Sequence, residues 1–522
     1  MSQRLLHILL AGVTMAGVLG ATVATAYPLD GYESTGITRL VHQRRIQEGK
    51  LSGKKRPSGE LLPLAMVELR LVDRQAFELP APDPQLSAEL KQLLGGHADR
   101  YGIALLDLSD MDNPRYAEWQ GGQRQNPGSV GKILVALAIF QALADTYPDD
   151  IEARERVLRE AMIVADEFSV YDHHTVRFFD PETDKLVRRP IEKGDTASMW
   201  TYLDWMMSPS SNSAAAMLQK HLILLKHYGA AYPVSVEEEA RFFSETPRKE
   251  MSDIFNEAIQ SPVTRNGLDI DQLRQGSFFT RGGKKRIDGT SSYATPRALL
   301  QFLLKMEQGR LVDAWSSLEI KRLLYITERR IRYGSSGVLR PSAVYFKSGS
   351  LYSCVPEEGF KCKKYHGNKR NYMNSVALIE TPAGQDKLYY MTTVLSNVLR
   401  KNSAVDHRDL ARAIHGKLLD DHPHSKASMV DYGEGFIGYE QERAELRLKT
   451  DTQETLIVLG YDIGEIDGAI GPATRGAIRE FQQSQGIPAD GKPSVALLET
   501  MRQVAQQKGL ARPYATGTSA TE

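Results

Sequence analysis

The stretch NPGSVGKILVALAIFQALAD, Asn126 to Asp145, repeats apolar residues at helical spacing behind a short polar entry that contains Gly128. That pattern predicts a buried helix. Its mouth carries Ser129 and, one turn on and on the same face, Lys132. The pair reads either as the polar start of a core helix or as chemistry. A serine hydroxyl becomes an effective nucleophile only when a base takes its proton, and a lysine whose pKa falls on desolvation can be that base. The helix dipole would favour negative charge developing at Ser129.

At 522 residues the chain is too long for one ordinary core, so two or three domains are expected. Lys plus Arg equals Asp plus Glu, at 65 each, so no general affinity for nucleic acid follows and no nucleic-acid partner is expected. Residues 1–26 combine Arg4, an apolar run from Leu5 to Val23 and the small-residue site Ala24-Thr25-Ala26. They read as a cleaved secretory signal, with an uncleaved anchor as the alternative. No later segment reads as a bilayer span, so the mature chain is expected to be soluble, periplasmic or secreted, with no stable membrane span after cleavage. The only two cysteines, Cys354 and Cys362, would then share an oxidising compartment and are expected to pair, with two reduced thiols in a surface loop as the alternative and a zinc pair disfavoured for want of a second ligand pair. On the chain-entropy account so short a loop gains about 2.5 kcal/mol.

Residues 27–95 hold the basic run HQRRIQEGKLSGKKRPSG and the proline-rich LPAPDPQ, predicting a surface-hugging or partly disordered lead-in with LLPLAMVELRLV as a strand inside it. The basic run reads as a solvated linker, with contact to anionic wall polymer or lipid heads as the alternative. From residue 96 the texture is globular. RYGIALLDLSD predicts a strand, and ATPRALLQFLLKMEQG a helix with Thr295 as N-cap, Pro296 at its first position and Gly309 near its end. SAVYFKSGS, NYMNSVALIE and KLYYMTTVLS predict strands. Strands at both ends with helices between give an α/β domain over 96–420. Residues 421–446 read as a linker, 447–506 as a compact helical unit around a Gly-rich loop, and 507–522 as a flexible polar tail.

Two further elements follow the Ser129/Lys132 pair in order: Ser210-Ser211-Asn212 within SPSSNSAAAML, and Lys347-Ser348-Gly349 on a predicted strand. Together they match the S-x-x-K, S-x-N, K-[ST]-G set of penicillin-recognising serine acyl enzymes. From about Gly96 to Leu419 the chain resembles the class A β-lactamase and penicillin-binding protein superfamily. The flanks PIEKGDTASMWTYLDWMMSPSSNSAAAML and YATPRALLQFLLKMEQGRL take part in the resemblance. It implies an antiparallel sheet flanked by helices, plus a helical subdomain.

The resemblance also implies roles by position. Ser129 would attack the carbonyl, Lys132 would accept or relay its proton, and Ser210 would pass a proton to the leaving nitrogen. Asn212 would hold the substrate's amide, and Lys347 and Ser348 its carboxylate. Backbone N–H groups of Ser129 and Ser350 would form an oxyanion hole, each contributing about 3 kcal/mol. Ser211 stands where many family members have Asp, which puts the proton network in doubt. No E-x-x-L-N motif, the source of the deacylating glutamate, lies between Ser213 and Phe346. Glu257 or another acid could serve, but spacing selects none, so fast penicillin hydrolysis is disfavoured. The neighbouring His173 and His174 read as loop residues without a metal role.

The segment LIVLGYDIGEIDGAIGPATRGAIREFQQSQGIPADGKPSVALLETM resembles the small three-helix peptidoglycan-binding domain, through Gly460-Tyr461, Asp467-Gly468, Gly471-Pro472-Ala473-Thr474, Phe481-Gln482 and Asp490-Gly491. Such a module raises the local concentration of polymer at an attached enzyme. The resemblances together imply an exported, cell-wall-associated serine hydrolase acting through an acyl-enzyme on peptidoglycan stem peptides, of D,D-carboxypeptidase or endopeptidase type. Peptidoglycan is the expected partner, β-lactams are possible acylating ligands, and no metal or organic cofactor is implied. A β-lactamase with atypical deacylation and a catalytically silent wall-binding protein are the alternatives.

Overall fold

The computed structural model describes residues 30–425, 445, 448–464, 466, 468 and 470–510. The expected signal segment, most of the expected linker and the tail beyond 510 lie outside the described residues.

Two helices of the lead-in, α1 (Thr38–Gln47) and α2 (Pro84–Leu93), precede strands β1 (Tyr101–Asp107) and β2 (Arg115–Trp119). The central helices follow: α3 (Lys132–Thr146), α4 (Met199–Met207), α5 (Asn212–Tyr228), α6 (Arg248–Arg265), α7 (Pro296–Glu307) and α8 (Ala314–Tyr325). Strands β3 (Ala343–Ser353), β4 (Arg370–Thr381) and β5 (Leu388–Asn397) then lead to α9 (Ala404–Asp421). The five strands form one antiparallel sheet in the order β2-β1-β5-β4-β3, so the C-terminal strands close beside β1, with Tyr101 opposite Ser396 and Lys347 opposite Val376.

Period-two patterning gives the sheet two buried faces. Ala104, Leu106, Val376, Leu378 and Met391 point toward the central helices, where α3 is buried along most of its length. Ile103, Leu105, Ala377, Ile379 and Val394 face the opposite way, against α2 and α9. The predicted caps of α7 are present: Thr295 accepts the Ala298 N–H at 3.1 Å, Pro296 opens the helix and Gly309 leaves it at φ +69°. Among the described residues one helix, Gly128–Thr146, is apolar and long enough to cross a membrane, contrary to the expectation that no segment after the signal has that length. Its apolar faces are consumed by the domain core.

The lead-in departs from its expected form. Ile37, Leu40, Leu64, Val67 and Leu71 join the main core, and Arg39 makes a buried two-pronged contact with Asp204 of α4, at 2.6 and 2.5 Å. LLPLAMVELRLV is not a strand. Pro63 has no N–H, Leu64 N–H donates to Asp30 Oδ1, and Arg70 and Leu71 N–H donate to the Glu307 side chain and carbonyl, so no ladder partner remains. Cys354 and Cys362 are disulfide-bonded, with Cα atoms 6.1 Å apart, in the loop between β3 and β4.

Residues 448–458 are helical, and with α10 (Pro472–Ser484) and α11 (Val495–Gln507) they enclose a separate core of Leu456, Ile463, Ile478, Phe481, Leu497 and Met501. Gly468 and Gly491 adopt φ of +72° and +70°, which a side chain would oppose, and their N–H groups donate to the Gln453 and Gln482 side chains. The expected architecture is present: a β-lactamase/transpeptidase-like α/β domain and a small three-helix unit behind it.

Candidate active site

Gly128–Gly131 form a single tight turn feeding α3, so Ser129 stands just ahead of the helix and Lys132 at its first residue. Lys132 Nζ lies 3.1 Å from Ser129 Oγ, 2.6 Å from the Ser210 carbonyl and 2.8 Å from Asn212 Oδ1. A neutral amine has two hydrogens, and those two carbonyl oxygens can accept both. Its lone pair is then left facing Ser129. Burial brings the Lys132 pKa from 10.5 down to about 7, against the opposing charge of Asp172 and with that of Arg329. A lysine in that state can take a proton from the serine hydroxyl near neutral pH.

Ser210 is held at φ +67°, an uncommon conformation for a non-glycine residue. The turn aims its carbonyl at Lys132 and its hydroxyl at Lys347, whose Nζ donates to Ser210 Oγ at 2.7 Å. Lys132 Nζ is also 3.3 Å from that hydroxyl, so one serine bridges the two lysines. Burial, followed by the charges of Lys132, Arg329 and Arg332, keeps Lys347 well below the ordinary lysine range.

Close approach of β3 to the Ser129 turn depends on glycine. A Cβ on Gly349 would meet the Pro127 carbonyl at 2.2 Å and the Ser129 nitrogen at 2.8 Å, and one on Gly128 would meet the Ser350 nitrogen at 2.9 Å. The backbones of Ser129 and Ser350 are thereby brought to one place. Ser129, Ser210, Lys347, Ser348 and Ser350 share a small cavity of about 30 Å³, with Arg329, Arg332 and Tyr365 among its walls. Arg332 donates to the Gly349 carbonyl at 2.7 Å and sits 5.4 Å from the Tyr365 ring. A far larger cavity of about 2880 Å³ lies between α9 and the small C-terminal unit, where Arg408 reaches the Ile466 carbonyl and Glu454, and it contains none of the three motif serines.

All seven site residues expected from the sequence converge. One differs in its engagement: Asn212, expected to hold the substrate amide, turns its side-chain oxygen to Lys132. Glu257, left open as a deacylating acid, is exposed on α6 with Lys226 at 3.9 Å and is not part of the cavity.

Sequence reasoning missed a carboxylate. Asp172 Oδ2 accepts from Ser211 Oγ and from the N–H groups of Asn212 and Ser213, so this loop residue caps α5. It places a buried negative charge against the Ser211 hydroxyl. Asp172 Oδ1 accepts from the His174 backbone N–H and lies 2.6 Å from His174 Nδ1. Burial acts upward on this carboxyl, but those donors and the His174 charge outweigh it and hold it far below the usual range. Asp172, His173 and His174 are close enough to share a metal ion. Five hydrogen bonds already occupy the Asp172 oxygens, so the donor set does not fit one.

Residues 85–418 match the beta-lactamase enzyme family, and residues 450–501 match the peptidoglycan binding domain. Solved structures similar to this chain include "Structure of PBP-A", at 13% identity over 66% of this chain and 100% of that one, with a TM-score of 0.41. The beta-lactamase from Sphaerobacter thermophilus DSM 20745 is 15% identical over 64% of this chain and 98% of that one, with a TM-score of 0.41. The TLA-3 extended-spectrum beta-lactamase is 13% identical over 64% of this chain and 98% of its own, with a TM-score of 0.42. No curated protein gives a significant sequence match. With a family match that spans more than half of its length, the chain belongs to the beta-lactamase enzyme family and carries a peptidoglycan-binding domain behind its serine hydrolase fold.

Proposed function

We propose that the protein is an exported D,D-carboxypeptidase that trims peptidoglycan stem peptides through an acyl-enzyme on Ser129. The observation that carries this reading is the buried Lys132, its pKa brought down to about 7, with Nζ 3.1 Å from the Ser129 hydroxyl. Lys132 takes the hydroxyl proton as Ser129 Oγ bonds to the carbonyl carbon, and the oxyanion settles between the N–H groups of Ser129 and Ser350. Ser210, bridging Lys132 and Lys347, passes the proton to the departing nitrogen, and the peptide bond breaks. Asn212 orients Lys132.

The cavity favours removal of a terminal residue over cleavage within a longer chain. Beside the reacting serine it is small and walled by Lys347, Arg329 and Arg332, which suits a free carboxylate with little beyond it. An arriving carboxylate also supplies the negative charge that buried Lys347 lacks, restoring its ammonium form. The C-terminal domain keeps the enzyme on its polymer, and the disulfide fits an oxidising location outside the cytoplasm.

The test is chromatography of pentapeptide-bearing muropeptides after incubation with the protein. Release of terminal D-alanine with cross-links left intact is the expected result. Cleavage of cross-links alone would make the enzyme an endopeptidase, and binding to sacculi with no cleavage by wild type would favour a silent wall-binding protein.

A further inference from the structure

Once Ser129 carries an acyl group, hydrolysis requires a base for the incoming water, and the E-x-x-L-N motif that carries the glutamate of class A enzymes is absent between Ser213 and Phe346. Among the described residues no carboxylate hydrogen-bonds to Ser129 or Lys132. The Lys132 flank instead meets the Phe279 ring, 4.9 Å from Nζ. Ser208, Ser210, Ser348 and Ser350 offer only hydroxyls, Tyr365 a phenol and the two arginines donors, while Lys347 Nζ is engaged by Ser210 Oγ and the Ser348 carbonyl at 2.7 and 3.0 Å. His174 is different. It lines the same small cavity as Ser129, and its Nδ1 is 2.6 Å from a buried, ionised carboxylate. Asp172 therefore accepts a hydrogen bond from Nδ1–H, which fixes the tautomer and leaves Nε2 as an acceptor. Among the described residues Nε2 has no hydrogen-bond partner in the protein and is not sealed in the interior. Burial, then the charges of Lys132 and His173, lower the His174 pKa to about 4 against the pull of Asp172, so the imidazole is neutral in the working range.

We infer that His174 is the base that activates the deacylating water, with Asp172 as its positioning residue, on the premise that Ser129 forms the acyl-enzyme proposed above. The water oxygen bonds to the acyl carbon while its proton moves to His174 Nε2. The tetrahedral intermediate collapses by breaking the bond to Ser129 Oγ, and the proton on His174 returns to that oxygen, directly or through Ser210. Serine, neutral imidazole and a carboxylic acid result, and the acid loses its proton to solvent. No charge or electron is left over. The arrangement separates the two half-reactions: Lys132 removes the proton of Ser129, and His174 removes the proton of water. Asp172 serves both, because it caps the helix that carries Asn212 and orients the imidazole.

The test uses the full chain and an N-acyl-D-alanyl thioester, which acylates serine without demanding protonation of a peptide nitrogen. Adduct formation and loss are followed by intact-protein mass spectrometry for wild type, Ser129→Ala, His174→Asn and His174→Ala. Asn keeps a donor for Asp172 but has no basic lone pair, so the loop and helix cap are retained. For His174→Asn we expect acylation within about threefold of wild type and an adduct that persists at least ~100-fold longer, the scale of a lost general base. Imidazole added to His174→Ala should shorten the adduct lifetime, which a purely structural role would not produce. Equal adduct lifetimes in wild type and His174→Asn, whether short or long, overturn the assignment and leave Lys132 as base for both steps. Absence of a Ser129-dependent adduct on wild type contradicts the acyl-enzyme reading itself and this inference with it.

Discussion

Lys132 Nζ stands 3.1 Å from Ser129 Oγ with the lysine side chain wholly buried, and its two nearest acceptors are the Ser210 carbonyl and the Asn212 side-chain carbonyl, with Ser210 Oγ at 3.3 Å. A charged ammonium is penalised there and a neutral amine has its lone pair where a base needs it. With a Lys132 pKa of about 7, the neutral fraction grows across pH 6 to 8. The acylation rate of Ser129 should therefore rise with pH through about 7 and level off above it. Lys132→Arg, which cannot deprotonate, should lose at least ~1000-fold at every pH. Stopped-flow acylation across pH 5 to 9 checks both.

Gly349→Ala should separate the site from its fold. The new Cβ would meet backbone atoms of Pro127 and Ser129, which cannot swing aside as a side chain would. Strand β3 must retreat, taking the Ser350 N–H with it. The expected outcome is a loss of acylation rate of about 100- to 1000-fold, the scale of a lost oxyanion donor, while the far-ultraviolet circular dichroism stays that of wild type.

Arg39 tests whether the N-terminal lead-in is part of the catalytic domain. Its guanidinium pairs with the fully buried Asp204 and also donates to the Ile326 carbonyl at 2.8 Å, tying α1 to both segments that lead into the cavity. Arg39→Ala leaves a carboxylate buried without its partner and should cost about 3–5 kcal/mol of unfolding free energy. Urea denaturation measures it.

Truncation before residue 447 should leave hydrolysis of a small soluble thioester unchanged, because the C-terminal helices enclose a core of their own and supply no wall of the catalytic cavity. Co-sedimentation with purified sacculi should fall at least ~10-fold, since polymer attachment then rests on the catalytic domain alone.

Much of the site is readable from the chain because its parts are local. Ser129 and Lys132 share one helical turn, Ser210 and Asn212 one helix entry, and Lys347 to Ser350 one strand, so each motif stays intact in the sequence and the resemblance built on the three in order picks out the groups. Strand β1 is likewise marked by apolar alternation, and β3, β4 and β5 by β-rich runs bounded by turns. Asp172 and His174 are not local. They meet Ser211, 39 positions beyond Asp172, only when the loop after Ser169 folds over the start of α5, and no period or motif records that contact. The lead-in is hard to read from sequence for a related reason. Its basic surface residues dominate the composition, while the few that matter, Ile37, Arg39, Leu40 and Leu64, are buried in the core of the main domain, Arg39 against Asp204, 165 positions on. LLPLAMVELRLV has the apolar content of a strand, but N–H groups of Leu64 and Arg70 go to the Asp30 and Glu307 side chains instead of to a neighbouring strand.

The central claim is that Ser129 forms a covalent acyl-enzyme with Lys132 as its base. Intact-protein mass spectrometry after brief exposure to benzylpenicillin tests it most directly, with wild type beside Ser129→Ala and Lys132→Ala. The account predicts a mass increase of one penicilloyl group on wild type and none on either variant. An adduct on Ser129→Ala at the wild-type rate would contradict it.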